Sequence, residues 1–320
     1  MTGEDSLKLF KFRKTQRQMR HKRTVWISTV RSALVVGTIV MAIALVPACS
    51  AQNLGWEGET GIFVTPLAYT ASSGNGIGMP VVAFHYMNGG PVLGDFYTSS
   101  VTVGFAKRFE FGYTREFHTF GNDAALSPLW HNGFNVVHAK ANLLPENAWK
   151  KSWAPAISIG FMVRSQVHNV GGALTGKDTR NGDIYVVASK TVTRWKRLPV
   201  VLNGGYRGTN AELWGLGGNA DRFTGRAFGA VAFVLKGPAH GSVILGAEVA
   251  QQPRHPADLP AAVIPTTLTY AVRYVPIPER KLNLDFGIAQ AAGVIQPGVN
   301  LQARSQMAVG ISYGLSGSAR

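Results

Sequence analysis

The chain has 320 residues, a formal charge of +15, a 46% hydrophobic fraction and a single cysteine. One cysteine rules out an internal disulfide framework, and this apolar content rules out a disordered, charge-dominated chain. The densest basic cluster lies at the extreme N-terminus, which argues against nucleic acid as the partner of the folded body.

Residues 1–31 hold nine Lys and Arg against only Glu4 and Asp5. An apolar run over 33–46 and the small-residue exit Pro47-Ala-Cys-Ser-Ala51 complete the pattern of a cleaved signal peptide over 1–51. The run is shorter than the roughly 20 residues that a spanning helix needs; an uncleaved inner-membrane anchor is the competing reading. Cleavage after Ala51 and lipidation at Cys49 both remain open, because Val46-Pro-Ala-Cys49 loosely matches a lipoprotein signal. Export would remove nine cations and two acids and leave a charge of +8 on the mature chain. A basic exported surface suits anionic lipid or an acidic polysaccharide, or simply keeps loops soluble.

Residues 52–79 form an N-terminal segment without a strand of spanning length, ending in the flexible Ser72-Ser-Gly-Asn-Gly-Ile-Gly78. From residue 80 to 320 the chain alternates large apolar with small or polar residues in short stretches. Val101-Thr-Val-Gly-Phe105 and Lys281-Leu-Asn-Leu-Asp-Phe-Gly-Ile288 show the period of two that gives a strand two unlike faces. Strands are predicted at 80–88, 97–106, 109–118, 132–143, 155–167, 183–194, 198–206, 223–235, 241–251, 266–275, 281–289 and 305–314. Their connections alternate short and long, with 144–154 longer than its slot requires. The fold class is therefore all-β: a closed antiparallel transmembrane β-barrel of about 12 strands, in the outer membrane, with both ends on the short-turn side. Segment 52–79 is then a plug, a lumenal strap or a periplasmic extension. A soluble β-sandwich predicts no such alternation of loop length.

On this reading Phe105, Phe111, Ile159, Phe161, Tyr270, Leu284 and Phe286 face lipid, and Trp149, Trp153, Trp195 and Tyr274 suit the membrane interface. The opposite face carries Glu110, Lys140, Arg164, Arg226, Glu248, Arg273 and Asp285. A charge near the bilayer midplane costs roughly 2–4 kcal/mol, so these residues point into the lumen. His138 shares that face. Register predicts two cross-strand ion pairs: Arg226 with Glu248 about Gly237, and Arg273 with Asp285 about Glu279. Such pairs brace a narrow lumen or, as the second reading, filter ions.

No catalytic or metal-binding constellation stands out. His85, His118, His131, His168, His240 and His255 are scattered without ligand spacing, so no metal and no cofactor is expected. Gly74-Asn-Gly-Ile-Gly78 and Gly215-Leu-Gly-Gly218 do not sit between a strand and a helix and read as connections.

The segment Thr60-Gly-Ile-Phe-Val-Thr-Pro-Leu-Ala-Tyr69 resembles the opening of YjbH-like outer-membrane proteins and of a related family of unknown function. Gly133-Phe-Asn-Val-Val-His-Ala-Lys140 and Leu245-Gly-Ala-Glu-Val-Ala-Gln-Gln252 match in the same style. The resemblance implies an outer-membrane barrel, associated in some relatives with exopolysaccharide production. The sequence thus predicts a non-enzymatic narrow pore or envelope accessory protein whose partners are lipid and small solutes or acidic polysaccharide. A structural component of exopolysaccharide export and an outer-membrane hydrolase are the rivals.

Overall fold

The structure is a computed structural model that describes residues 54–71, 74–122, 133–166, 180–193, 198–211, 223–252, 266–276, 282–292 and 306–314. The predicted leader, Trp195 and the histidines at 131, 168 and 255 lie outside the described residues. Among those described, twelve strands run in chain order: β1 Val81–Asn88, β2 Gly94–Phe105, β3 Phe109–Phe120, β4 Phe134–Leu144, β5 Ala156–Gln166, β6 Asn181–Val192, β7 Val200–Thr209, β8 Thr224–Lys236, β9 Ser242–Ala250, β10 Thr266–Val275, β11 Leu282–Ala292 and β12 Gln306–Gly314. Each pairs antiparallel with its chain neighbours, and β1 pairs with β12 from Val81↔Gly314 to Met87↔Ala308, which closes the sheet. Closure pairs both edges of every strand, so the barrel leaves no edge to aggregate.

The period of two sorts the side chains. Phe111 (57% exposed), Phe161 (47%) and Phe286 (44%) point outward. Their inward neighbours Glu110 (0%) and Met162 (0%) are buried. An apolar belt of this extent is far larger than the patches a soluble monomer tolerates.

Inward glycines let large rings approach the wall closely. Gly112 faces His138 on β4, Gly160 faces Tyr185 on β6, and Gly310 faces His85 on β1. A Cβ at any of the three would come within 2.3 Å of the opposite ring. Wall and ring therefore share one layer of space, as in close packing generally.

Two connections differ from expectation. Between β1 and β2, a single helical turn over Gly90–Leu93 replaces the predicted long loop, because β2 begins at Gly94. Between β8 and β9 the hairpin turns about Ala239 rather than Gly237. A 3-10 turn, Pro238–His240, with Ala239 at φ 50°, is closed by Gly237 N–H donating to the Gly241 carbonyl at 2.8 Å. The register is Lys236↔Ser242, which sets Glu248 opposite Ala230. The predicted Arg226–Glu248 pair is therefore corrected: Arg226 lies four residues of β9 register away from Glu248.

Candidate functional site: a strap inside the barrel

Segment 54–71 lies within the barrel as a strap of two tight loops, marked by the bridges Leu54↔Thr60 and Gly61↔Pro66. Gly58, at φ 88°, sits where a Cβ would fall 2.3 Å from the Thr114 hydroxyl, so only glycine fits this apex. Trp56 and Phe63 are buried with ring centroids 5.9 Å apart, and both lie over His85 at 6.1 and 6.3 Å. Together with Phe96, Phe134, Met162, Tyr185 and Phe228 they belong to the largest buried apolar cluster among the described residues. A barrel of this size has inward room, and here the chain's own N-terminal segment fills much of it.

A buried strap without a sheet of its own must find partners for its backbone polar groups. The wall supplies them. Its donors meet the strap carbonyls: Thr114 to Glu57 at 2.8 Å, Thr102 to Gly58 at 2.6 Å, Lys140 to Thr60 at 2.9 Å and Arg273 to Ile62 at 3.1 Å. Asn203 donates to Pro66 at 3.0 Å and Asn142 to Ala68 at 2.9 Å. Its acceptors meet the strap N–H groups. Glu110 accepts from Thr60 at 2.9 Å and from Ala71 at 2.7 Å. Glu248 accepts from Val64 at 3.1 Å and Thr65 at 2.8 Å, and Ser189 accepts from Ala68 at 2.8 Å. Two glutamates from opposite parts of the wall thus clamp the strap by charge-assisted bonds, which are roughly twice as strong as neutral ones.

Five of the seven predicted charged residues fall into three ion-paired sets, and Arg226 and Glu248 stand outside them. Glu110 and Lys140 pair at 3.0 Å with both side chains fully enclosed, and His138 Nε2 lies 3.9 Å from the same carboxylate. Arg164 bridges wall and strap: its Nη2 reaches Glu57 at 2.8 Å and Asp183 at 2.7 Å, and its Nη1 reaches Asn181 at 3.0 Å. Arg207 joins Asp183 at 3.3 Å, with its guanidinium 5.6 Å from the Tyr185 ring centre. Arg273 stands opposite Asp285 in register and donates to it through Nε. Arg226 stands apart. It is half-buried and donates to the backbone oxygens of Gly225 at 2.7 Å and Gln252 at 3.1 Å. Glu248, freed from Arg226, serves the strap.

Sequence reasoning missed Glu57, Asp183 and Arg207. The strand prediction already placed Asp183 on the inward parity, and extending β7 past residue 206 would have added Arg207. Nothing local marks Glu57, whose partner Arg164 is 107 residues away.

Glu59, in the strap and outside the spanning strands, is fully buried, and neither carboxyl oxygen has a hydrogen-bond partner among the described residues. Burial first, and the charge of Glu57 second, push its pKa up to about 8, against the opposing pull of Arg207 and Lys140. Among the described residues no three His, Cys, Asp or Glu side chains gather as metal ligands would.

A family model described as a protein of unknown function (DUF3034) matches residues 54–284, a span that begins at the first residue of the strap. No curated protein matches the chain. Solved structures of similar fold include a KdgM porin, at 11% identity and a TM-score of 0.43, covering 74% of this chain and 99% of that one. LpxR from Salmonella typhimurium matches at 10% identity and 0.44, over 73% and 100%. The Acinetobacter baumannii outer membrane protein Omp33 matches at 8% and 0.36, over 76% and 100%.

Proposed function

The chain belongs to the DUF3034 family, and we propose that it is a non-enzymatic outer-membrane barrel channel whose lumen is narrowed by its own N-terminal strap. One observation carries the reading: a closed sheet with a largely apolar exterior and a charged, hydrogen-bonded interior that grips segment 54–71. Phe111, Phe161 and Phe286 then meet lipid tails, while Arg164, Lys140 and Arg273 stay out of lipid, where each would cost roughly 2–4 kcal/mol. The exposed Trp149 (73%) lies in the turn between β4 and β5, at the short-turn rim where an interfacial aromatic belongs. A leader at 1–51 would deliver the chain to that membrane.

The strap sets how much passes. Its contacts are hydrogen bonds and ion pairs rather than covalent links, so its docking is an equilibrium that solutes, pH or mutation can shift. Refolding the mature protein into vesicles tests the reading. Heat-modifiable gel mobility and small single-channel currents are expected, with larger currents from Glu248→Ala, which removes one clamp. A protein that stays soluble without detergent, or that stays silent with and without the clamp, would overturn it.

A further inference from the structure

The strap does not fill the lumen evenly. On β1–β6 the inward side chains are closed off: Val81, Thr102, Val136 and Asp183 are each at most 4% exposed. On β7–β10 the inward Arg207, Phe228, Glu248 and Thr269 are closed off as well, but Val201, Val234, Ile244 and Ala271, toward the short-turn end, keep partial exposure. The strap therefore touches the wall on both sides and leaves a slot beside the short-turn ends of β7–β10. That slot contains a cavity of about 70 Å³, walled by the latter four residues and faced by Ile62, Phe63 and Leu67 of the strap.

The chemistry of the slot is unusual for a barrel interior. Inward positions of an aqueous channel are polar, yet β7–β9 carry apolar residues on both faces: Val201 beside Leu202, Phe233 beside Val234, Ile244 beside Leu245. The charged pair at its edge, Arg273 with Asp285, is turned on itself, and Arg273 also serves the Ile62 carbonyl. Small residues open the space. A Cβ on Gly246 would meet Ile62 at 3.5 Å and Ala232 at 3.8 Å, ordinary contacts that show the wall standing just clear of the strap. Water gains little in an apolar enclosure, and apolar solutes gain from leaving water to enter one. A sugar would find too few hydrogen-bond partners here. The cavity is also about half the roughly 150 Å³ that holds a benzene ring in an engineered apolar site. We propose that this slot is a binding site on the solute route and takes the end of a slender aliphatic chain, the rest of the chain lying outside the cavity. The proposal rests on the channel reading above and names its substrate class.

The test uses the full mature protein in vesicles and a medium-chain fatty acid bearing a diazirine. Photolabelling followed by peptide mapping should mark Ile62, Phe63, Val234 or Ile244. Gly246→Val and, independently, Ala271→Leu should cut that labelling at least about five-fold while leaving labelling of the outward Phe161 and Leu284 unchanged. A diazirine phospholipid separates the two sources of such a chain: label from the free acid supports a solute site, whereas label from the phospholipid alone overturns it. Labelling confined to outward residues, or lumen labelling that both filling variants leave unchanged, also overturns it. Channel currents measured on the same vesicles keep the two readings apart. Currents without lumen label sink only the solute class, and failure to insert sinks the channel itself.

Discussion

Glu110 and Lys140 face each other across β3 and β4, and their 3.0 Å pair is shut off from water on every side. The same carboxylate takes the N–H groups of Thr60 and Ala71, and the same ammonium takes the Thr60 carbonyl. One pair in the wall therefore holds two points of the strap.

Breaking this pair should cost more than its net worth. Glu110→Ala leaves Lys140 charged in a closed space and should destabilise the refolded protein by roughly 3–5 kcal/mol. Glu110→Leu with Lys140→Met removes both charges and should recover most of that loss. Urea unfolding in detergent checks both values, and a double variant as weak as the single would refute the pairing.

Register separates two pairs that look alike in sequence. Arg273 and Asp285, opposite each other and mostly buried, should show a coupling of roughly 0.5–3 kcal/mol in a double-mutant cycle. Arg226 and Glu248 should show none beyond roughly 0.3–0.5 kcal/mol, because the turn at Pro238–His240 displaces them. Equal coupling in both cycles would mean that the β8–β9 register is wrong.

Glu59 gives the strap a pH response with a definite sign. Docked, its carboxyl keeps a proton up to about pH 8; released into water it loses it near 4.5. The docked form thus binds more protons across this window, and docking weakens as pH rises through it. Below 4.5 the term is flat. Channel conductance should therefore climb between pH 5 and 8, and Glu59→Gln should remove the climb. A climb of equal size in the Gln variant would assign it to another group.

Two inward glycines should answer oppositely to the same substitution. At Gly112 a methyl would strike the His138 ring and the Thr102 hydroxyl, so Gly112→Ala should cost roughly 1–3 kcal/mol through overpacking. At Gly246 the same methyl meets only ordinary contacts, so Gly246→Ala should be close to neutral. Paired unfolding curves decide this.

The strands were legible because lipid and lumen impose opposite demands on alternate residues, and Val101-Thr-Val-Gly-Phe105 records them directly. The β8–β9 register was not legible. Gly237 looked like the turn centre, while the residue that adopts the left-handed conformation is Ala239, which carries no sequence signal for it. The inward charges could be named one by one from parity, but not their partners. Glu248 bonds to Thr65, 183 residues away, and the strap that unites Glu110, Arg164 and Arg273 has neither periodicity nor length to mark its fold. The apolar slot stayed hidden for a related reason: with apolar residues on both faces of β7–β9, such as Val201 beside Leu202, the pattern alone does not say where the strap leaves room.

Amide hydrogen exchange of the mature protein in lipid vesicles tests the central claim most directly. If segment 54–71 is docked, the N–H groups of Thr60, Thr65, Ala68 and Ala71 exchange as slowly as those of the barrel strands, and Glu110→Ala speeds Thr60 and Ala71 first. Exchange of all four at the rate of a free peptide would contradict it.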